Sequence, residues 1–375
     1  EVRVLAANYY YILVNTFGGV PLMKEYVANA QTGYPRSSAA DVYAYIIEEL
    51  ENVIANGALE KSTARNGGGR ASLESARALL AKTYLAAAWD LDKKEYFSKA
   101  SQVADDVIAG RSLVTPFADL WKADYSGDDN EEFIWDVEYD YATAANTVSG
   151  GHPWSSFYCN HIGGQEDHGK GSTSAFIVTL HALQCFERGD IRYEVTFMKE
   201  LPDIITASNY WYWDWYRNGE TFIGTPLKRY YPAWYETEED IENWRALDPE
   251  NRKNTWILPM SDQTRDPQEY MPGEIDYEAF VTYSYGGAPC RKFDDSNTGS
   301  YSNKTDYRDI HIITLSEVYL IAAEAYLKAG DEGSALARLN EVRRRAQLNS
   351  ATTIDVDVVL KERVCELFGQ GSRWI

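Results

Sequence analysis

The chain lacks long apolar runs and an excess of positive charge. Its 375 residues include 36 Lys and Arg against 57 Asp and Glu, a formal net charge of −21. A surface this acidic repels nucleic-acid backbones and anionic lipid surfaces, which argues against both as partners. The most apolar stretches, residues 5–14 and 176–186, fall short of the roughly 18–20 residues that cross a bilayer. The sequence therefore excludes a membrane-spanning helix.

Cysteine is scarce and widely spaced. No CxxC pair occurs, which disfavours a zinc ribbon or a thioredoxin-like site. The sequence leaves open whether one or two disulfides form among Cys159, Cys185, Cys290 and Cys365. The zinc-protease signature HExxH and the serine-hydrolase signature GxSxG are both missing.

Phosphate and metal signatures are incomplete. Residues 164–171 nearly match a Walker loop but lack its final Ser or Thr, so a surface loop is the better interpretation. The spacing of three histidines in this region matches no helix face: His152, His161 and His168. Acidic pairs such as Asp294-Asp295 have the oxygen ligands that calcium prefers, although a solvated turn is favoured. We therefore expect no cofactor.

The chain starts without Met, inside a helical pattern, and stops in mid-pattern at Trp374-Ile375. We therefore expect an internal fragment of a longer protein, with any targeting segment outside it.

Helical periodicity dominates both ends of the chain. In residues 41–54 the apolar positions recur at steps of four, four and three: Val42, Ile46, Leu50 and Val53. Residues 71–89 and 96–109 repeat the pattern with a short connection, which predicts an antiparallel helical hairpin. Near the carboxyl end the pattern predicts two more helices, on either side of a Gly-Asp stop-and-start signal at 330–331.

A small repeat links these helices. Alanine precedes tyrosine by three residues in each of three segments, ending at Tyr10, Tyr84 and Tyr326. A small residue lets a neighbouring helix approach, and the ring one turn later fills the groove, as in tetratricopeptide-type helix pairs. The alternative is chance recurrence in a chain rich in Ala and Tyr.

The middle of the chain differs from both ends. It carries most of the Trp, many Gly and Pro, and few periodic stretches, with a predicted strand at 133–139 and a predicted helix at 176–186. We expect an N-terminal helical part at 1–111, an irregular ligand-binding region at 112–307 and a C-terminal helical part at 308–375. The three parts are expected to form one mainly α-helical fold.

Aromatic residues are unusually abundant. The chain has 28 Tyr, 11 Trp and 12 Phe, and the densest run covers 209–217. In a strand, alternate positions of this run would place Trp on one face. Tyrosine and tryptophan combine a flat apolar face with a polar tip, which suits stacking on sugar rings while polar neighbours bind hydroxyls. The candidate residues here are Asn209, Trp211, Trp213, Trp215 and Arg217.

Two further ring groups flank that run. One precedes it and contains Trp154 and Tyr158, and the other follows it and contains Trp234. The alternative interpretation is that these rings hold together loops that lack regular secondary structure. We expect most of the rings to be structural and two or three to contact a ligand.

Several short motifs occur in a fixed order. The first helix ends in Asn-Thr-Phe-Gly-Gly-Val-Pro-Leu at 15–22, and Gly-Arg-Ala at 69–71 leads into a helix. Asn-Glu-Glu-Phe-Ile-Trp begins the predicted strand at 130, and Gly-Asp-Ile-Arg follows at 189–192. The longest block runs from Leu315 through the two C-terminal helices, and Gly-Ser-Arg-Trp closes the series at 371–374. In this order the motifs resemble the SusD/RagB family of Bacteroidetes outer-membrane nutrient-binding lipoproteins.

The resemblance implies a fold and a role. It implies helix pairs that brace an irregular ligand region, without catalysis. It implies that the protein binds glycan at the cell surface and delivers it to a TonB-dependent SusC-like transporter, held to the outer membrane by an N-terminal lipid outside this sequence. In the family, ligand contacts often come from the segment that here contains Trp154, Tyr158 and Asn160. The lipid-bearing cysteine and the last part of the family's chain are absent here.

Three alternatives remain open, and the simplest is a structural helical adaptor that binds a partner protein but no small ligand. Some members of the family bind peptide, and the negative charge of this chain would then favour neutral or basic peptides. A helical glycoside hydrolase is the alternative from another class, because 57 acidic residues make carboxylate pairs inevitable and none of them stands out.

Overall fold

Segments from both ends of the chain fold into one unit, and the middle of the chain folds into a second. The first unit comprises Glu1–Pro116, Asp128–Glu138 and Asp309–Ile375, and the second comprises Phe117–Gly127 and Tyr139–Arg308. The structure is a computed structural model. It describes residues 1–25, 27, 29, 32–62, 69–139, 151–158, 176, 178–204, 226–253, 255–257, 288, 290–293, 295 and 306–371.

The described elements are mainly helical, as predicted. The helices, in chain order, are α1 (Val2–Phe17), α2 (Ala39–Asn56), α3 (Leu73–Asp90), α4 (Glu95–Ile108), α5 (Phe117–Leu120), α6 (Trp154–Phe157), α7 (Leu180–Gln184), α8 (Arg192–Thr196), α9 (Glu238–Leu247), α10 (Pro249–Arg252), α11 (Leu315–Ala329), α12 (Glu332–Arg345) and α13 (Val356–Leu367). The strands are β1 (Phe133–Val137), β2 (Glu200–Ile204), β3 (Pro226–Tyr230), β4 (Trp256–Ile257) and β5 (Ile310–Thr314).

Helix α2 shows why the ends of the chain are helical. Ser38 and Asp41 form a reciprocal capping box at its start, and Gly57 ends it in the left-handed conformation with φ 62°. The stripe that the sequence predicted, which includes Val42 and Leu50, is fully buried. Local signals and burial agree along the whole helix.

The turn after α1 requires glycine. Gly18 has φ 69°, in the left-handed region, and a Cβ on Gly19 would lie 2.2 Å from the carbonyl oxygen of Ser37. Arg36 donates to the carbonyl oxygens of both Phe17 and Gly19, which closes the turn. The glycine pair of the first motif therefore reflects a close backbone approach.

Helices α3 and α4 form the predicted antiparallel hairpin, and α4 also packs against α11, which packs on α12. The small residues of the predicted repeat lie at these contacts, because Ala81 and Ala323 are fully buried. The hydroxyl of Tyr326 donates to Asp105 of α4 at 2.6 Å. A ring that follows a small residue thus reaches a neighbouring helix.

Strands β1 and β5 pair antiparallel, with Asp136 opposite His311. The strand predicted at 133–139 is observed at Phe133–Val137. The imidazole of His311 stacks on the ring of Phe133 at 3.4 Å between centroids, and its Nδ1 lies 2.6 Å from Asp136 Oδ1. Both members of the polar pair are buried, so the two strands are joined by a polar as well as an aromatic contact.

The second unit is built around aromatic residues. Strands β2 and β3 pair antiparallel, and β4 joins β3 in parallel. The ring of Phe186 meets that of Tyr193 edge-to-face at 5.5 Å and that of Phe197 at 5.6 Å. Arg192 and Asp190, from the motif at 189–192, form a fully buried ion pair at 2.7 Å beside these rings. The motif at 189–192 therefore stabilises the local structure through its buried ion pair.

The helix predicted at 176–186 is wrong in its extent, because α7 is the only helix among the residues that the structure describes in this stretch. Thr179 caps this helix by accepting from the backbone amide of Ala182. The backbone amide of Phe176 instead donates to the carbonyl oxygen of Phe157, outside any helix. The apolar run that suggested a longer helix mixes buried residues such as Leu183 and Phe186 with the exposed Phe176, so it does not form one helix face.

Across the part of the chain that the structure describes, no helix has both the length and the apolarity to cross a membrane.

Candidate functional site

Two of the predicted contact residues, Trp154 and Tyr158, lie together in a ring cluster of the second unit. Their centroids are 6.0 Å apart, and both pack against Phe293, at 6.2 Å and 5.3 Å. Trp154 is half-buried on α6, while Phe176 at the edge of the cluster is 47% exposed. The cluster, hereafter the Trp154 cluster, therefore presents part of its aromatic surface to solvent.

Histidine 152 fixes the start of α6. Its Nε2 lies 2.8 Å from the carbonyl oxygen of Arg308, and its Nδ1 accepts from the backbone amide of Trp154 at 3.2 Å. With Nδ1 as the acceptor, the tautomer protonated on Nε2 satisfies both contacts, because Nε2 then donates to the Arg308 carbonyl oxygen. Paired backbone hydrogen bonds between His152 and Asp306 hold the same segment. The Trp154 ring is thus positioned by contacts to a segment some 150 residues further along the chain.

The inner side of the Trp154 cluster is buried. Trp121 is 6% exposed and meets Phe293 edge-to-face at 5.8 Å. The ammonium of Lys292 lies 4.3 Å from the centroid of the Trp121 ring in a cation–π contact. Burial raises the pKa of Tyr158, so its phenol stays protonated at neutral pH. The cluster has the anchored, mixed aromatic and polar character of a binding surface.

Trp234, the third predicted residue that the structure describes, is a more exposed platform. Its side chain is 40% exposed, and its indole Nε1 donates to the carbonyl oxygen of Phe186 at 2.9 Å. The neighbouring ring of Tyr235 meets it edge-to-face at 5.7 Å. Since the indole N–H is already bonded, the ring is fixed and what it offers a ligand is its flat surface.

Charged groups border this platform. The guanidinium of Arg188 lies over the Tyr235 ring at 5.2 Å and pairs with Asp240 through two hydrogen bonds of 3.1 and 3.0 Å. The Arg188 hydrogen bond, with those from Thr237, lowers the pKa of the Asp240 carboxyl below its usual range. We name Trp234, Tyr235, Arg188 and Asp240 the Trp234 platform.

A third stack lies in the same unit. The rings of Tyr230 and Trp244 are parallel within 22° at 4.1 Å, and the guanidinium of Arg252 lies 4.4 Å from the Trp244 ring. Glu200 accepts from both Trp244 Nε1 and Arg252. Since the structure shows protein contacts to both Trp244's ring and its N–H, this stack is chiefly structural.

Buried rings connect the platform and the cluster. Tyr193 packs on Tyr235 at 5.9 Å and on Phe197 at 5.2 Å. Phe197 pairs with Cys290 in an isolated bridge, and the amide of Cys290 donates to the carbonyl oxygen of Tyr158. The second unit therefore holds both surfaces on one aromatic core.

The other predicted contact residues lie outside the described residues. They are Asn160, Asn209, Trp211, Trp213, Trp215 and Arg217. The near-Walker loop at 164–171, His161 and His168 lie outside them as well.

Sequence reasoning missed the polar border of Trp234. Arg188 directly precedes the motif at 189–192, and Thr237 with Asp240 forms a capping box at the start of α9. That capping signature is readable from the sequence and could have placed Asp240 at a helix start.

Among the described residues, no three His, Cys, Asp or Glu side chains are grouped so as to hold a metal ion. The sequence leaves calcium binding at an acidic pair open, with a solvated turn favoured, and the absence of a cofactor remains a prediction. Three cysteines are described and buried: Cys185, Cys290 and Cys365.

Comparison with known proteins identifies the family. The SusD family model matches residues 131–375, about two thirds of the chain, and the chain belongs to this family. A SusD-like protein of Bacteroides ovatus is 24% identical over 402 residues, an alignment that covers 100% of this chain and 57% of that protein.

Solved structures share the fold. Surface glycan-binding protein A from Bacteroides uniformis matches with a TM-score of 0.63 and 22% identity, over 98% of this chain and 63% of that protein. Surface glycan-binding protein A from Bacteroides thetaiotaomicron, solved in complex with laminarihexaose, matches with a TM-score of 0.64 and 18% identity, over 100% of this chain and 67% of that protein. The chain thus spans about three fifths of the length of the first relatives that it matches, and similarity at this level establishes the fold.

Proposed function

We propose that this protein binds glycans without cleaving them, at the Trp234 platform and the Trp154 cluster. The observation that carries the proposal is the anchored, 40% exposed ring of Trp234 with a charged pair at its border. The C–H face of a sugar packs on such a ring, and paired charges at the edge can exchange hydrogen bonds with hydroxyls. Family membership and the laminarihexaose complex of a relative support this assignment.

The carboxylates beside Trp234 support binding over catalysis. Asp240 is held ionised by Arg188, so it is a poor proton donor. Glu236 accepts from Lys199 at 2.7 Å and from the Tyr230 hydroxyl at 2.9 Å. Both side chains are occupied in holding the local structure, whereas a glycosidase needs one protonated and one ionised carboxyl facing the sugar.

The proposed role includes a transport partner. As a member of its family, the protein would deliver bound glycan to a TonB-dependent SusC-like transporter while held to the outer membrane by a lipid on its extracellular face. Co-purification with such a transporter from outer membranes tests this part separately from glycan binding.

Calorimetric titration with laminarin oligosaccharides tests the binding site. A stacked ring contributes roughly 0.5–1.5 kcal/mol beyond the area that it buries, so we expect Trp234→Ala to weaken binding about tenfold. Trp234→Phe removes the same indole hydrogen bond but keeps a flat ring, and it should retain most of the affinity. Trp154→Ala is expected to weaken binding as well.

Matched controls and competing ligands complete the test. Leu247, which is 81% exposed on α9, provides a neutral Leu247→Ala control in the same unit. Unchanged affinity in both tryptophan-to-alanine variants would remove these surfaces from the binding site. Binding of a peptide digest, with no binding of oligosaccharide, would favour the peptide-binding alternative. Shortened glycan products after incubation with the protein would establish a hydrolase.

A further inference from the structure

The first unit contains a cavity that the glycan proposal does not use. It has a volume of about 290 Å³ and lies among α1, α3, α11 and α13. This volume is close to the lower limit of small-molecule pockets, so a molecule of amino-acid or monosaccharide size fits and a longer oligosaccharide does not. Trp89 is the exposed member of its lining, at 44%, and marks the opening.

One side of the cavity is cationic. Lys82 of α3 and Arg363 of α13 line it, and Glu317 lies behind them, 3.0 Å from Lys82 and 3.9 Å from Arg363. The Nη1 atom of Arg363 is buried and has no hydrogen-bond partner among the described residues. Because Nη1 is enclosed by protein, an anionic oxygen in the cavity would reach Arg363 through the 12% of its side chain that stays exposed.

Another part of the lining is anionic. Glu324 of α11 accepts from the indole Nε1 of Trp89 at 2.8 Å through one of its oxygens. Counting Glu317 behind the wall, two cations and two carboxylates surround the cavity, so their charges cancel. A ligand with one positive and one negative group matches this arrangement better than one with a net charge.

The remaining lining is mixed, because Tyr11 and Asn15 of α1 lie beside an apolar part. Leu85 and Ile321 are buried there, with Ala86 and Leu360 beside them. A hexose is uncharged, so it leaves the opposed charges of Arg363 and Glu324 without partners of opposite sign, and some of its hydroxyls would face the apolar part. A ligand with an apolar side chain fills the same space and buries its surface.

We propose that this cavity binds an α-amino acid with an apolar side chain. Its carboxylate accepts from Arg363, its ammonium donates to Glu324, and its side chain packs against Leu85 and Ile321. The site is separate from Trp234 and Trp154 and does not depend on glycan binding.

A ligand series tests each part of this arrangement by calorimetric titration of the intact chain. L-leucine should bind, whereas N-acetyl-L-leucine, which lacks the ammonium, and L-leucinamide, which lacks the carboxylate, should each bind at least tenfold more weakly. D-glucose should not bind measurably. Binding of L-leucine should be the same in Trp234→Ala, which separates this site from the glycan surface.

Variants locate the site. Glu324→Gln keeps an acceptor for Trp89 but removes the charge, so it should weaken L-leucine binding about tenfold, and Arg363→Gln should do the same. Glu332→Gln, an exposed change on α12, is the matched control and should leave binding unchanged. The circular dichroism spectrum of each variant confirms its folding. Failure of L-leucine to bind the folded protein, or equal binding of glucose or acetyl-leucine, would overturn the proposal.

Discussion

At the scale of single residues, the buried Asp136–His311 pair is the clearest electrostatic feature of the first unit. Burial raises the pKa of Asp136 well above its ordinary value, and the nearby carboxylates of Asp128, Glu138 and Asp129 raise it further. The folded protein therefore binds this proton more tightly than the unfolded chain does. This tighter proton binding stabilises the folded state at low pH. The stabilisation is lost as the pH rises from about 4 towards the pKa of Asp136 in the folded protein.

Asp136→Asn tests this sign. The introduced asparagine stays neutral at every pH, so the variant does not lose stability through this group as the pH rises. The free energy of unfolding of the variant minus that of the native protein should therefore increase with pH above about pH 4, by at most about 1.4 kcal/mol per pH unit. Urea unfolding between pH 4 and 8 measures the difference, with the exposed Asp106→Asn on α4 as control. If the free energy of unfolding of the variant minus that of the native protein decreases as the pH rises, the pair is instead an ionised aspartate with a protonated histidine.

At the scale of secondary-structure elements, end signals and burial act together. The helices α2, α3 and α9 each begin with a capping box, formed by Ser38, Ser72 and Thr237 with the residue three positions later. Such signals are local, and for this reason the sequence predicts α2 and α3 well. The helix expected at 176–186 was too long because an apolar run predicts no helix boundary by itself, and the helix begins only where Thr179 caps it.

Ser38→Ala should destabilise the protein by about 1 kcal/mol, because the cap of α2 loses its side-chain acceptor. Ser37→Ala, one position earlier and outside the capping box, should change stability by less than about 0.5 kcal/mol. The urea midpoints of the two variants provide the measurement. Equal midpoints would mean that packing of α2 makes its cap dispensable.

At the scale of the whole molecule, buried ion pairs join distant parts of the chain. Arg345 of α12 pairs with Glu132, which precedes β1, and with Glu366 of α13, and all three side chains are buried. Burial raises the pKa of Glu132 against the lowering effect of Arg345. The network is specific to the folded state, since its acidic members lie 213 and 21 positions from the arginine.

Arg345→Met leaves two buried carboxylates without their cation, so we expect a loss of about 3–5 kcal/mol in the free energy of unfolding. Arg344→Met removes a neighbouring, largely exposed pair with Glu341 and a hydrogen bond to the carbonyl oxygen of Leu113, and it should cost less than about 2 kcal/mol. Chemical denaturation of both variants at neutral pH measures the contrast. Similar losses in the two would show that the buried network is no more important than a surface pair.

The sequence by itself determined the helices at both ends, the order of the family motifs and the aromatic character of the middle, because periodicity, capping and composition act over a few residues. Only the tertiary structure decided which rings meet. It packs Trp154 against Phe293 and anchors Trp234 on Phe186, and it gathers Lys82, Glu324 and Arg363 around one cavity. These contacts depend on how separate helices and loops pack, and a packing arrangement of residues up to 281 positions apart leaves no local pattern in the chain.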